Sequence, residues 1–289
     1  VRLNPLPLTQ LVEGDSVILL AEDDSRLSYG RTAQIIEGSI CVSEHQLPKP
    51  EGTLILGNNQ SLSLILHELD SCMAKGSRVK IIDESSLPQL SDFKHARTEF
   101  VIADPTSRAV LESADVTSFN HIMVLAERGS QAVQKADAKT LLTLLHLRGL
   151  VKEQDQSINI VSEMLDDRNR ELAEVTDADD FIVSEKLVSL MLAQISENQK
   201  VKDVFASLFS SEGSQVRLHP AEWYVKLGEE VNFDTVTAAA SQRAESAMGY
   251  RKLNLDSGRD SMHGVRLNPN RTQKVTFEQG DMVVVLTED

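Results

Sequence analysis

From residue 53 onward, short apolar runs alternate with helical patterns. The runs 53–56, 79–82, 100–102, 121–125, 158–161 and 181–183 are rich in Val and Ile and are bounded by Gly, Asp, Glu or Ser, which predicts buried strands. Between the first two, Leu62, Ile65, Leu66, Leu69, Cys72 and Met73 recur at three- and four-residue spacing. That period predicts a helix with one core-facing stripe, and it places Cys72 on the stripe rather than in a reactive setting. A second helix is expected over 130–147, with Ala132, Val133, Ala136, Leu141, Leu144 and Leu145 as its apolar positions. Strands alternating with helices imply right-handed crossovers and a mostly parallel sheet with helices on both faces. The expected fold class is therefore α/β: a Rossmann-like, doubly wound sheet over 53–200, with strand order 3-2-1-4-5-6.

Ser184 reads as the N-cap of a further helix reaching about Asn198. That helix carries Leu187, Val188, Leu190, Met191, Leu192 and Ile195, apolar on more than one face. Such a helix needs cover, either from a partner subunit or from the lobe that follows. Past residue 200 the alternation stops. An amphipathic helix over 201–209, strands over 214–218, 222–226, 249–253 and 282–286, and a helix over 234–241 predict a small α+β lobe over 201–289. Trp223 and Tyr224 are expected in its core or at an interface.

The two ends of the chain resemble one another. Val1-Arg2-Leu3-Asn4-Pro5 recurs as Val265-Arg266-Leu267-Asn268-Pro269, and Gly14-Asp15 followed by the apolar run 16–20 recurs as Gly280-Asp281 followed by 282–286. This predicts a tandem repeat, with residues 1–30 the tail of a preceding copy and 31–52 a linker. The linker holds Gly, Pro, Cys41 and one short strand over 34–36.

Charge and cysteine content narrow the function. The chain has 289 residues, 44 acidic against 29 basic, and a formal net charge of -15. Nucleic-acid affinity rests on clustered Lys and Arg, so nucleic acid is not an expected partner. No apolar run approaches a membrane span. Two cysteines make no disulfide framework, which suits a reducing compartment. No nucleophile elbow, zinc-binding HExxH, Walker loop or CxxC is present, and the histidines His67, His95 and His121 are dispersed. His146 is expected at a helix end, where a cation suits the dipole. No catalytic residue is assigned.

A doubly wound domain raises the dinucleotide question. The loop after the first strand reads Gly57-Asn58-Asn59-Gln60-Ser61-Leu62. The G-x-G-x-x-G fingerprint needs glycines where Asn59 and Leu62 stand, so Gly57 alone survives and NAD is not expected to bind well. Acids collect at the strand ends instead: Asp83, Glu84, Asp104, Glu127, Glu163, Asp166 and Asp167. Two readings of them stay open. Each acid caps the helix it precedes, or Glu127 and Glu163, with Asp166 or Asp167, hold a divalent cation such as calcium through oxygen ligands.

Over Val161 to Leu172, Asp179 to Ser189 and His219 to Tyr224, and less densely from Thr53 to Asp289, the sequence resembles RCK domains (regulators of potassium conductance), in particular those of bacterial Castor/Pollux-type ion channels. The first-strand loop of that family also lacks the glycine fingerprint, and the first 24 residues look like the end of a preceding RCK unit. The resemblance implies an RCK N-lobe, crossover helix and C-lobe in the cytoplasmic regulatory region of a tetrameric cation or potassium channel. It further implies a pore and a first RCK unit in the same subunit, and self-association into a gating ring that couples ligand binding to pore opening. Acids after Rossmann strands bind calcium in some related rings, and Glu127 and Glu163 lie in comparable places, whereas Leu165 stands where some calcium-gated relatives carry an acid. Two other classes remain as alternatives: an NAD-dependent oxidoreductase, disfavoured by the missing fingerprint, and a soluble nucleotide-binding regulatory subunit of a potassium transporter.

Overall fold

The computed structural model describes residues 1, 3–4, 9–20, 32–41, 43, 49–85, 93–129, 132–151, 158–169, 180–210, 213–255 and 264–288. The chain divides into two compact units, one of residues 47–199 and one of residues 1–46 with 200–289.

In the first unit the expected strands form: β1 (Gly52–Leu56), β2 (Ser77–Asp83), β3 (Ala96–Ile102), β4 (His121–Val124), β5 (Asn159–Met164) and β6 (Asp180–Val183). They make one six-stranded sheet in the order β3-β2-β1-β4-β5-β6, and every pair is parallel. Burial on both faces explains the apolar runs: β1 is buried throughout. Helix α1 (Leu62–Cys72) covers one face, its Leu66 packing with Ile55, Val79 and Ile81. The short α2 (Arg108–Ser113) and long α3 (Val133–Val151) cover the other, where Leu111, Leu144 and Leu147 meet Leu54, Leu56 and Ile122.

Details of the helices depart from the periodic reading. Cys72 is exposed, because the face that packs on the sheet runs through Leu62, Leu66, Leu69 and Met73 and leaves Cys72 to one side. On α3 the buried positions are Ala136, Asp137, Thr140, Thr143, Leu144 and Leu147, while Val133 and Leu145 face outward. The helix runs on to Val151, so His146 lies inside it, and its Nδ1 meets the Thr106 carbonyl at 2.9 Å instead of a helix end. Ser184 opens helix α4 (Ser184–Glu197) but makes no cap hydrogen bond, since Val183 occupies the cap position.

The second unit holds α5 (Val201–Leu208), β7 (Gln215–Pro220), β8 (Glu230–Asn232), α6 (Phe233–Gln242), β9 (Ser246–Arg251), β10 (Val265–Leu267), β11 (Lys274–Thr276) and β12 (Met282–Thr287). An antiparallel sheet orders β10-β9-β12-β7, and β8 pairs with β11. The three-residue strands are too short to show a period, so the sequence pattern passes over β8, β10 and β11. Residues 222–226 do not make the expected strand. They enter a short 3-10 turn, and Val225 makes an isolated bridge to Ile40. Tyr224 is fully buried among Val231, Phe277 and Val283, with Trp223 packed against that core.

Residues 32–41 and 43 belong to this unit. The Gln34 and Ile36 amides donate to Asp234 Oδ2 (2.9 Å) and Thr235 Oγ1 (3.0 Å), and Asn232 Nδ2 donates to the Gln34 carbonyl at 2.7 Å. These side-chain bonds stand in for the ladder expected over 34–36. The similar end segments also diverge. β12 sits between β7 and β9, whereas residues 16–20 pair with no strand among the described residues and leave Val17, Ile18, Leu19 and Leu20 exposed. Among the described residues no helix is long and apolar enough to cross a membrane.

Candidate functional site

The strand order reverses direction between β1 and β4, and ligands of open α/β sheets bind outside the carboxyl ends at such a point. A cleft of about 340 Å³ lies there, lined among others by Gly57, Asn58, Asp83, Glu84, Glu127, Arg128 and Lys139. Gly57 has φ +90, and a Cβ there would sit 2.8 Å from the Leu125 carbonyl oxygen. The first glycine is thus required by the turn and by the approach of β1 to the end of β4. Leu62, at the place of the fingerprint's last glycine, is fully buried in the sheet–helix core.

Asn59 carries the side chain that the middle glycine would lack. Its Nδ2 donates to the Ala126 carbonyl (2.9 Å) and to Glu163 Oε2 (2.7 Å), and its Oδ1 accepts from the Ser61 amide at 2.9 Å. The loop is therefore tied across to β4 and β5. Glu163 gathers this edge of the sheet. Besides Asn59, it accepts from the Ala126 amide at 3.2 Å, from Ser184 Oγ at 2.8 Å and from the Arg128 guanidinium. Its side chain is 12% exposed. Ser184 thus serves Glu163 rather than its own helix end, which no local sequence rule reveals.

The four acids singled out in the sequence are divided. Glu127 lines the switch-point cleft and pairs with Lys139 Nζ at 2.8 Å, with Glu84 3.6 Å from the same ammonium. The Glu127 hydrogen bond, reinforced by both carboxylate charges, raises the Lys139 pKa above the usual lysine value. Asp166 and Asp167 line a separate cleft of about 540 Å³ with Arg168 and Lys186. Asp166 pairs with Arg168 at 2.6 Å, and Asp167 with Lys186 at 2.9 Å. The Arg168 hydrogen bonds hold the Asp166 carboxyl below its ordinary value. Among the described residues no group of three or more His, Cys, Asp or Glu side chains is placed to hold a metal ion.

Sequence reasoning also passed over Asp137. It is buried on α3 and accepts from the Leu165 and Asp166 amides (2.9 and 3.1 Å) and from Asn169 Nδ2 at 2.6 Å. A carboxylate on the same helical face as Thr140, Leu144 and Leu147 was the available signal, since a buried charge requires partners.

Residues 53–184 match the TrkA-N domain model. Over 99% of its length the chain is 27% identical to the probable ion channel CASTOR of Oryza sativa subsp. japonica, covering 36% of that protein. It is 28% identical to the ion channel CASTOR of Lotus japonicus, over 99% of this chain and 37% of that one. The chain therefore spans little more than a third of the curated relatives it matches. Among solved structures, the human SLO3 gating ring aligns with 83% of this chain and 44% of its own, at TM-score 0.54 and 13% identity, a likeness of fold. Residues 53–184 are a TrkA-N (RCK) domain, in a chain whose homologues are the CASTOR and POLLUX ion channels.

Proposed function

We propose that this chain is a regulatory region of a tetrameric cation channel, on the cytoplasmic side of its membrane, and that it couples ligand binding to pore opening through a self-assembled ring. The observation that carries the assembly is α4: Leu187, Val188, Leu190 and Leu192 are 50–62% exposed on one 14-residue helix. Exposed apolar side chains gathered on one helix mark an interaction site, and the isologous partner that suits it is a second copy of the chain. Relatives that are named ion channels and match over nearly the whole chain support this reading over the enzyme and transporter-subunit ones. The switch-point cleft is the proposed effector site. Its ligand drives gating only by binding one ring conformation better than the other.

Light scattering on the isolated chain tests the assembly. Wild type is expected to self-associate as concentration rises, and Leu190→Asp to remain monomeric with unchanged circular dichroism, because the substituted position is exposed within the subunit. A wild-type chain that stays monomeric at high concentration would remove α4 as the assembly surface.

A further inference from the structure

A third cleft lies toward the amino ends of β2 and β3, at the opposite ends of the strands from the switch point. It has a volume of about 330 Å³, and its basic lining is Arg78, Lys80 and Arg97. The register pairs Arg78 with Arg97 and Lys80 with Glu99, so each pair projects from one face on strands about 4.8 Å apart. This is the face on which Ile82 and Val101 meet Leu111 of α2. With six residues, α2 is only about 9 Å long. It covers the carboxyl half of these strands and leaves the amino half open.

Two features set the cleft apart from an ordinary solvated sheet edge. Arg78 is held in place: its Nη2 donates to the Ser118 carbonyl (2.6 Å) and Oγ (2.9 Å), and its guanidinium lies 4.5 Å from the Phe119 ring centroid. Gly52 on β1 makes room for it, since a Cβ there would come within 2.9 Å of Arg78 Nε. Arg97, beside it, makes no hydrogen bond or ion pair with another described residue. Of the two acids in the lining, Glu99 pairs with Lys80 at 3.5 Å and Asp115 accepts from Thr117 Oγ1 at 3.1 Å, and against the three basic side chains they leave a surplus of one positive charge. Both arginines line the cleft, one held by Ser118 and Phe119 and one without a partner among the described residues, in a chain of net charge -15.

We infer that Arg78 and Arg97 form a binding site for a phosphomonoester. Two guanidinium groups lining one cleft suit the multi-oxygen recognition of phosphate. The volume of about 330 Å³ leaves room for an organic body beyond the phosphate. The site is independent of the switch-point cleft and of the assembly proposed for α4.

Titration with inorganic phosphate and with phenyl phosphate, followed through arginine Nε–H resonances at constant ionic strength, tests this. Both ligands are expected to shift the Arg78 and Arg97 signals saturably, phenyl phosphate with the higher affinity. Arg97→Gln should weaken binding by about tenfold or more, and Arg97→Lys should fall between it and wild type. Lys274→Gln, which removes one exposed charge from the other unit, should change affinity less than about twofold. Three results would overturn the site: no saturable shift in wild type, undiminished binding by Arg97→Gln, or equal weakening by Lys274→Gln. Weaker binding of phenyl phosphate than of inorganic phosphate would overturn the esterified ligand.

Discussion

Glu163 and Glu245 are built alike and placed differently. Each carboxylate accepts from an arginine and a hydroxyl: Glu163 from Arg128 and Ser184, Glu245 from Arg243 (3.3 Å) and the Tyr224 phenol. Glu245 is fully enclosed, and the Arg243 that binds it is 2% exposed and lies over the Trp223 and Tyr224 rings. His219 approaches it at 3.6 Å. Burial alone would raise the Glu245 pKa, but the nearby His219, the Tyr224 hydrogen bond and the Arg243 charge together bring it below the ordinary value. Burial, with the Glu245 carboxylate adding to it, pushes the Tyr224 phenol well up, so this phenol stays protonated and donates. Glu163 is 12% exposed and its Arg128 is 37% exposed. The same chemistry is therefore a fixed pin inside one unit and a solvent-reachable latch at the sheet edge of the other. Arg128 and Lys139, at the mouth of the switch-point cleft, can exchange partners with a ligand, whereas Arg243 has no such freedom.

Removing the enclosed pin should have the largest effect. Glu245→Ala leaves Arg243 as an uncompensated buried charge and is expected to cost about 3–5 kcal/mol, read by denaturant unfolding. Glu163→Ala removes one acceptor from four donors that water can partly reach, so about 1–3 kcal/mol is expected. Comparable losses at the two positions would erase the distinction between pin and latch.

Acid titration sharpens the contrast. The folded pKa of Glu245 lies below the ordinary glutamate value of about 4.3, so its stabilisation is present above that value and is lost as pH falls through the folded pKa. Wild type should lose stability on that acid limb, and Glu245→Gln should be less stable near neutrality with a flatter limb. An unchanged limb would show that other carboxylates dominate. The smallest effect is expected for Lys274→Gln. Its pair with Glu230 is 69% and 56% exposed, and such pairs contribute about 0–1 kcal/mol. A larger loss there would undermine the use of exposure to rank these ion pairs.

The sequence by itself determined the alternation of buried strands and helices and the turn at Gly57, because buried parallel strands and amphipathic helices write their period into consecutive residues; the strand order was carried over from the usual doubly wound arrangement, and the structure bears it out. It also marked Glu127, Glu163, Asp166 and Asp167 as strand-end acids. Only the tertiary structure decided what those acids touch. Glu163 meets Asn59, Ala126, Arg128 and Ser184, residues up to 104 positions away in the chain, and no local period carries that information. The same holds for Arg78 beside Arg97, which is a matter of strand register, and for Cys72, which lies at the margin of a stripe whose packed members are Leu62, Leu66, Leu69 and Met73. The end segments show the limit most directly. Residues 16–20 and 282–286 share an apolar pattern, yet only the second lies between two strands, because a strand's backbone groups are satisfied by neighbours, and neighbours are a property of the fold.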